Sequence, residues 1–310
     1  MILTVCTNPS IQKTYQLASL KTGEVNRIAK IRTDVSGKGM NVSRVLSQLG
    51  CEVIHLTQLG GRNKDWFLTE AAKIGVSVQY AQTEAEIRTC TTLIETDAEP
   101  PGVTELVEEG NSVNMETEKE LRSLFKKVLK TKPDAVVISG SKARGFSGSL
   151  YPDFAAESLC AGIPLIADYR GCDLLETLKV CKNAGKGRLV VKINVSEFCG
   201  TFAGQGALPR EGIFAKMEEI SADYDCSLIV TRGEQPLFAL DDKRRYEIEK
   251  YVLPDLHIQN TIGCGDSFAA GFAAEFVRTG DFEAALREGS LCGALNAATL
   301  VPGSIKLYKI

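Results

Sequence analysis

The glycine-rich stretch 260–272, NTIGCGDSFAAGF, combines residue types that can bind an anion and move a proton. Beyond Asp266 apolar residues recur at helical spacing, which predicts a glycine turn that opens directly into a helix. Gly263 and Gly265 lack a Cβ, so an anion can approach the unpaired N–H groups at the helix start. We expect Asp266 to keep a low pKa beside the helix dipole and to accept a proton from an attacking hydroxyl. The alternative is that Asp266 caps a helix and that the glycines only turn the chain.

A second glycine turn lies near the N-terminus, at residues 35–41, VSGKGMN. It is followed by apolar residues on one helical face and by a stop at Gly50. Lys38 and Asn41 supply side-chain donors beside Gly37 and Gly39, so this turn also suits polar or anionic groups of a ligand. Alone, it also fits a plain strand-to-helix connection with a surface lysine.

The composition indicates a globular protein without a nucleic-acid or membrane partner. The chain has 310 residues, of which 44% are hydrophobic and 24% charged, enough for one large α/β domain with an appendage or for two domains. Its net charge of -3 and the lack of a long basic run argue against nucleic acid. The N-terminus does not have the features of a signal peptide and no apolar run approaches membrane-spanning length, which predicts a cytoplasmic protein.

The cysteines and histidines indicate neither a disulfide framework nor a metal centre. Ten cysteines are scattered without a C-x-x-C pair, and the two histidines have no metal-binding spacing. We expect reduced thiols that are mostly buried. Cys264 lies inside the glycine turn, where its thiol is either reactive or a small space-filling group.

Strand-like and helix-like segments alternate over most of the chain, which predicts an α/β fold with a Rossmann-like, mostly parallel sheet covered by helices on both faces. Strand-like segments around 12–32 and 87–113 are candidates for a separate small sheet. Ligands of such a fold bind beyond the carboxyl ends of the parallel strands. The candidates expected at those ends include Asp168, Asn194, Glu197, residues 231–233 and the Gly263 turn.

Asn194 and Glu197 follow a predicted strand and are three residues apart. Such a pair suits a hydrated magnesium ion or a phosphate held through water, because Mg²⁺ keeps several of its waters. An ordinary helix start, with asparagine as the cap and glutamate in the first turn, fits equally well. Neither G-x-x-x-x-G-K-[ST] nor G-x-G-x-x-G occurs, which disfavours a P-loop NTPase and a Rossmann dehydrogenase.

Taken together, the motifs resemble those of the ribokinase-like (PfkB) carbohydrate kinases, most closely the 1-phosphofructokinase and tagatose-6-phosphate kinase branch. Residues 36–42, SGKGMNV, are similar to the N-terminal signature of that family, and residues 261–266, TIGCGD, to its C-terminal signature. The similarity extends over nearly the whole chain. It includes residues 7–11, 23–27, 88–89, 104–106, 138–141, 194–197 and 230–233. The resemblance implies a single domain, 1–310, with a β-sheet lid formed by the discontinuous segments 11–33 and 87–113.

The resemblance also implies an ATP-dependent kinase that phosphorylates a hydroxyl of a sugar phosphate, with Mg²⁺ as cofactor and with a homodimer formed through the lid. Asp266 would be the base, and the backbone of Gly263, Cys264 and Gly265 would be the anion hole. Substrate-binding residues would be Gln12, Gly37, Lys38, Gly39, Asn41, Arg88 and Ser139. Asn194 and Glu197 would bind the triphosphate region of the nucleotide and, through water, the magnesium ion. Thr231 and Gly233 would line the nucleotide pocket.

One departure from the family pattern concerns the substrate. Gln12 stands where the branch usually has an aspartate that accepts hydrogen bonds from the sugar; an amide keeps one acceptor oxygen, adds donors and removes the charge. Two alternatives therefore stay open. They are a sugar-phosphate-binding protein of weak or no activity on the same fold, and a kinase for a sugar other than a hexose.

Overall fold

A computed structural model of the chain describes residues 1–182, 184–204, 206–253 and 257–306. These residues form two sheets with helices around the larger one. The strands are β1 Ile2–Cys6, β2 Ser10–Leu17, β3 Lys30–Ser36, β4 Val53–Gly60, β5 Ser77–Thr83, β6 Arg88–Glu95, β7 Gly102–Val107, β8 Ala135–Ser139, β9 Leu165–Asp168, β10 Leu189–Asn194, β11 Cys226–Arg232, β12 Gln235–Asp241 and β13 Arg244–Ile248. The helices are α1 Lys38–Gln48, α2 Lys64–Lys73, α3 Met115–Leu129, α4 Leu150–Cys160, α5 Cys172–Cys181, α6 Val195–Phe202, α7 Arg210–Tyr224, α8 Cys264–Thr279 and α9 Phe282–Ala297.

The large sheet has the order β13-β12-β11-β10-β9-β8-β1-β4-β5. Its neighbours pair in parallel from β11 through to β5, and only β12 and β13 at one edge run antiparallel. Such a sheet is covered on both faces, so its central strands, such as β8 (AVVIS) and β9 (LIAD), are largely apolar and do not alternate. The predicted fold class, a mostly parallel sheet between two layers of helices, agrees with this architecture.

Side chains of the central strands divide between two apolar cores. Leu3 and Val5 of β1 pack into one core with α3, α4 and α7, whereas Ile2 packs into the other with α1, α8 and α9. The alternation follows from the two-residue period of a strand. Packing in both cores fixes the positions of the helices relative to the strands. It thereby also fixes where the turns at the carboxyl ends of the strands lie.

The small sheet has the order β3-β2-β6-β7. Its strands overlap the two segments, 11–33 and 87–113, that were predicted to form a lid, and β3 extends beyond the first segment to Ser36. The pairing of β2 with β6 places Gln12 beside Cys90, and the pairing of β6 with β7 places Thr92 beside Glu105. These residues therefore share one face of the small sheet, and this is the face that carries Gln12, which is expected to bind the substrate. No helix in the described ranges is long and apolar enough to span a bilayer.

Candidate active site

Asp266 lies in the first turn of α8 and is buried, with 6% of its surface exposed. Its Oδ2 accepts a hydrogen bond from Asn41 Nδ2 at 2.8 Å. Asn41 is itself oriented, because its Oδ1 accepts from Ser36 Oγ at 3.0 Å and from Arg44 Nη1 at 3.2 Å. Residues of both glycine turns thus meet at one carboxylate.

The pKa of Asp266 differs from the low value expected for a carboxyl at a helix N-terminus. Burial, with a smaller contribution from the nearby Asp168, raises the pKa of Asp266 to about 6 against the attraction of Lys38. The expectation of a low pKa is therefore wrong, because the loss of hydration outweighs the helix dipole. A carboxyl with a pKa near 6 is still mainly ionised at pH 7, and it is a stronger base than an ordinary aspartate.

The turn before α8 presents backbone donors. Gly263 has φ +85°, and a Cβ on it would lie 2.3 Å from the N atom of Gly303, so this position requires glycine. Among the described residues, no acceptor occupies the N–H groups of Gly263, Cys264 or Gly265. The turn can therefore bind an anion without breaking an existing hydrogen bond.

Two lysines and a second aspartate lie next to this turn. Lys192 is 4% exposed, its Nζ is 3.2 Å from Asp168 Oδ1, and it lies 3.0 Å from the point that a Cβ of Gly265 would occupy. Asp168 raises the pKa of Lys38, so Lys38 stays charged. Burial opposes ionisation of Asp168, but Lys192 and Lys38 hold the pKa of its carboxyl below the usual value. The cluster keeps two cations beside the anion-binding turn.

Asp266 and the Gly263 turn line a cavity of about 450 Å³. Charged and polar groups of the small sheet face this cavity from the other side. Gln12 is 2% exposed, and its Nε2 donates to Thr92 Oγ1 at 2.8 Å. Arg88 donates to Glu108 O at 3.1 Å, while its Nε is buried without a partner among the described residues. Burial raises the pKa of Glu105, against the attraction of Arg88.

A second cavity of about 230 Å³ adjoins the first. Thr231 and Gly233, predicted to line a nucleotide pocket, border both cavities, as do Thr261 and Gly265. The remaining wall of the second cavity is largely apolar, which suits a planar aromatic ring. Its apolar residues are Leu237, Ile248, Ile258, Phe268, Ala294 and Ala297. Cys264 also lines it, and burial raises the pKa of its thiol, which argues for the space-filling role.

Asn194 and Glu197 form a capping box at the start of α6. Asn194 Oδ1 accepts from Glu197 N at 2.8 Å, and Glu197 Oε2 accepts from Asn194 N at 3.3 Å. The helix-start interpretation of this pair is therefore correct. The same two residues line the larger cavity, and Glu197 Oε1 lies 3.6 Å from Lys38 Nζ. The capping role leaves this oxygen for a ligand.

Most of the predicted site residues are brought together in these cavities, and two lie elsewhere. Gly37 lines the larger cavity, but Gly39 packs on β1, where a Cβ would lie 2.7 Å from Cys6 Cβ. Ser139 is fully buried and its Oγ donates to Asp168 Oδ2 at 2.9 Å. Ser139 thereby orients the aspartate that holds Lys192.

Sequence reasoning missed Lys192 and Glu105 as site residues. A signal for Lys192 was present, since a lysine inside the apolar run Leu189–Asn194 must either end in a polar site or pair with an acid. Glu105 gave no such signal, because a glutamate in a strand of mostly exposed residues is ordinary. Only the pairing of β7 with β6 brings Glu105 to the cavity.

The chain belongs to the PfkB family of carbohydrate kinases, whose model matches residues 5–304. It is thus a carbohydrate kinase, and the predicted family is confirmed. Among curated proteins, a tagatose-6-phosphate kinase of Staphylococcus epidermidis is 27% identical over 310 residues, which cover 100% of this chain and 96% of that protein.

Solved structures share the fold at lower sequence identity. A phosphofructokinase-2 from Escherichia coli, in a tetrameric inhibited form, has a TM-score of 0.82 at 21% identity and covers 96% of this chain and 93% of its own. A Thermotoga maritima structure described as a possible 1-phosphofructokinase has a TM-score of 0.84 at 20% identity, with 97% and 93% covered. These similarities concern the arrangement of both sheets and their helices.

Proposed function

We propose that the protein transfers the terminal phosphoryl group of ATP to a hydroxyl of a sugar phosphate, with Asp266 as the base. One observation carries the proposal: the Asp266 carboxylate and the free N–H groups of the Gly263 turn border the same cavity. A nucleophile and an incoming phosphoryl group can therefore meet between them. Positioning and charge stabilisation supply most of the catalysis of phosphoryl transfer.

The proposed reaction needs one proton acceptor and one site for developing charge. The hydroxyl oxygen of the sugar attacks the terminal phosphorus, the O–H bond breaks, and Asp266 takes the proton. The bond between that phosphorus and the bridging oxygen breaks, which leaves ADP. Asn41 holds Oδ2 of Asp266, and the other carboxylate oxygen remains for the hydroxyl. The N–H groups of Cys264 and Gly265, with Lys192, stabilise charge on the phosphoryl oxygens.

A phosphate already present on the sugar needs positive charge beyond that used in transfer. Arg88 and Lys38 line the cavity that Asp266 borders, and both place positive charge there. A guanidinium binds phosphate oxygens through a fixed fork of donors. This pair supports a sugar phosphate over a plain sugar as the substrate.

The nucleotide would bind with its base in the smaller apolar cavity, beside Thr231 and Gly233. Mg²⁺, when bound to the triphosphate, neutralises part of its charge. In the described residues no group of three acidic, histidine or cysteine side chains is positioned to bind a metal. Glu197 offers one carboxylate oxygen at the cavity, and Asn194 is committed to its cap. These donors fit a Mg²⁺ held mainly by phosphates and waters.

The small sheet is proposed to act as the lid of the site and as a contact between two copies of the chain. Ile31 and Leu106 are 59% and 56% exposed. Strand alternation directs them away from the face that carries Gln12. Burial of these exposed apolar side chains against a second copy would leave the cavity face free for substrate, and light scattering of the purified protein measures the mass.

The test of the proposed function is ADP formation against a panel of sugars. The panel holds fructose 1-phosphate, fructose 6-phosphate, tagatose 6-phosphate and unphosphorylated sugars. We expect at least one sugar phosphate to stimulate ADP formation and the unphosphorylated sugars to be poor substrates. Binding of a panel member without turnover would instead favour the sugar-phosphate-binding protein.

Replacement of Gln12 by aspartate tests its contact with the sugar. Both donor bonds of Gln12 use Nε2, to Thr92 Oγ1 and to Lys13 O, which leaves Oε1 available as an acceptor. A hydrogen bond to a charged acceptor is stronger by about 1 kcal/mol or more, so we expect Gln12→Asp to lower KM for a hexose phosphate by about tenfold. Steady-state kinetics on the panel measure it.

Gln16→Asp is the matched control for that change. Gln16 lies on the same strand and the same face but beyond the residues that line the larger cavity. Its replacement should leave every KM unchanged. An unchanged KM in Gln12→Asp as well would mean that residue 12 does not touch the sugar.

A further inference from the structure

Two buried asparagines hold the residue that precedes the anion-binding turn. Asn260 Oδ1 accepts from Ile262 N at 3.0 Å, and Asn296 Nδ2 donates to Ile262 O at 2.8 Å. Both asparagines are fully buried, at 0% exposure. Because the peptide groups on both sides of Ile262 are fixed, the direction in which the chain enters Gly263 is fixed as well.

The same two amides are tied to the segment 299–304 by their other ends. Asn296 Oδ1 accepts from Gly303 N at 2.7 Å and from Ser304 N at 3.1 Å. Asn260 Nδ2 donates to Leu300 O at 3.1 Å. Each carboxamide uses its donor and its acceptor at once, which neither a carboxylate nor an alkyl group can do.

The segment held in this way lies between the two halves of the site. A Cβ on Gly263 would lie 2.3 Å from Gly303 N, and a Cβ on Gly303 would lie 2.3 Å from Asn41 Cβ. Pro302 O accepts from Arg44 Nη1 at 2.6 Å, and the same nitrogen donates to Asn41 Oδ1 at 3.2 Å. One stretch of backbone therefore contacts both the anion-binding turn and the residue that holds Asp266.

We propose that Asn260 and Asn296 are positioning residues that set the distance between the anion-binding turn and Asp266. They act through Ile262 and through the segment 299–304, and Asn296 also donates to Cys264 Sγ at 3.4 Å and accepts from Ser267 Oγ at 3.0 Å. The proposal rests on the proposed function, because it concerns the geometry of that reaction. A fixed turn keeps its N–H groups aimed at the transferring phosphoryl group before the substrate arrives.

The test compares Asn296→Ala with Gln48→Ala. Gln48 of α1 holds the same segment from its other side, since its Oε1 accepts from Ile305 N at 2.7 Å and its Nε2 donates to Ser304 Oγ at 3.1 Å. It makes no hydrogen bond to the turn among the described residues. We expect Asn296→Ala to lower kcat by about 100-fold with both KM values within about threefold, because displacement of a catalytic group by about 1 Å has that effect. Gln48→Ala should keep kcat within about twofold.

Thermal unfolding and hydrogen exchange complete the test. If Asn296→Ala and Gln48→Ala lower Tm alike and lower kcat alike, the asparagine is structural only and the proposal is overturned. Should Asn296→Ala not fold, Asn260→Ala removes only the bonds to Ile262 N and Leu300 O and has the same expected outcome. Faster exchange of the Ile262 amide in Asn296→Ala, where its acceptor Asn260 Oδ1 is retained, is a readout that needs no substrate. It supports the positioning role even where the wild-type chain turns over no panel sugar, and unchanged exchange in that case overturns it.

Discussion

Replacement of Asp266 by asparagine should lower kcat by about 10²–10⁴-fold, the range that a general base supplies. Asparagine keeps the size of the side chain and an oxygen for Asn41 Nδ2, but it cannot accept the proton of the hydroxyl. Binding of the sugar phosphate should change little. Steady-state kinetics together with calorimetric binding separate the two effects.

The pH dependence follows from the raised pKa of Asp266, which is about 6. Only the ionised carboxylate accepts a proton, so kcat/KM of the wild type should fall about tenfold per pH unit below pH 6. Asp266→Asn should lack this acid limb. An identical limb in the variant would assign it to another group.

The same shift predicts that Asp266→Asn is more stable than the wild type. A carboxyl whose pKa is raised on folding binds its proton more tightly in the folded state, so stability is lost as pH rises from about 4 to about 6. At pH 7 the charged form therefore costs about 2–3 kcal/mol, which a neutral amide of equal size avoids. Denaturant unfolding at pH 7 should show a gain. Asp65→Asn, in the first turn of α2 with a side chain that is 91% exposed, should change neither activity nor stability.

Local sequence patterns predicted the elements of the site well because its main parts are local. A glycine turn followed by apolar residues at helical spacing predicts where a helix begins, and both α1 and α8 begin in such turns. Alternating strands and helices then imply a parallel sheet with its ligands at one edge. Asn194 and Thr231 indeed lie side by side at the ends of β10 and β11.

The electrostatics of the site depended on contacts that the sequence does not reveal. The pKa of Asp266 was expected to be low from the helix dipole alone, but burial by residues from distant segments decides it. Lys192 and Asp168 form an ion pair across neighbouring strands, and Asn296 reaches Ile262 from another helix. Each of these contacts joins residues that are more than 20 positions apart, where periodicity carries no information.

Replacement of Gly265 by alanine should remove activity without harming the fold. A Cβ at this position would meet only the Nζ of Lys192, at 3.0 Å, which is the far end of a flexible side chain. Gly265 lies in α8, where alanine is favoured over glycine by about 1 kcal/mol, so Tm should stay equal or rise. The added methyl group would stand between Lys192 and the turn, where the phosphoryl oxygens must approach the backbone. We expect kcat/KM to fall by about 10²–10³-fold, as for the loss of a donor to a developing anion.

Gly200→Ala is the matched control, because Gly200 is an exposed helical glycine of α6 whose added Cβ would meet no atom within 4 Å. It gives the same gain in helix propensity at a position that lines neither cavity, so any rise in Tm should be shared while activity stays at the wild-type level. Kinetics and thermal unfolding of both variants check this pair. If Gly265→Ala retained full activity, the phosphoryl group would not contact the N–H of residue 265 during transfer. The anion-binding site would then have to lie nearer Gly263. The contrast between the two glycines thus tests the position of the phosphoryl group separately from that of the base.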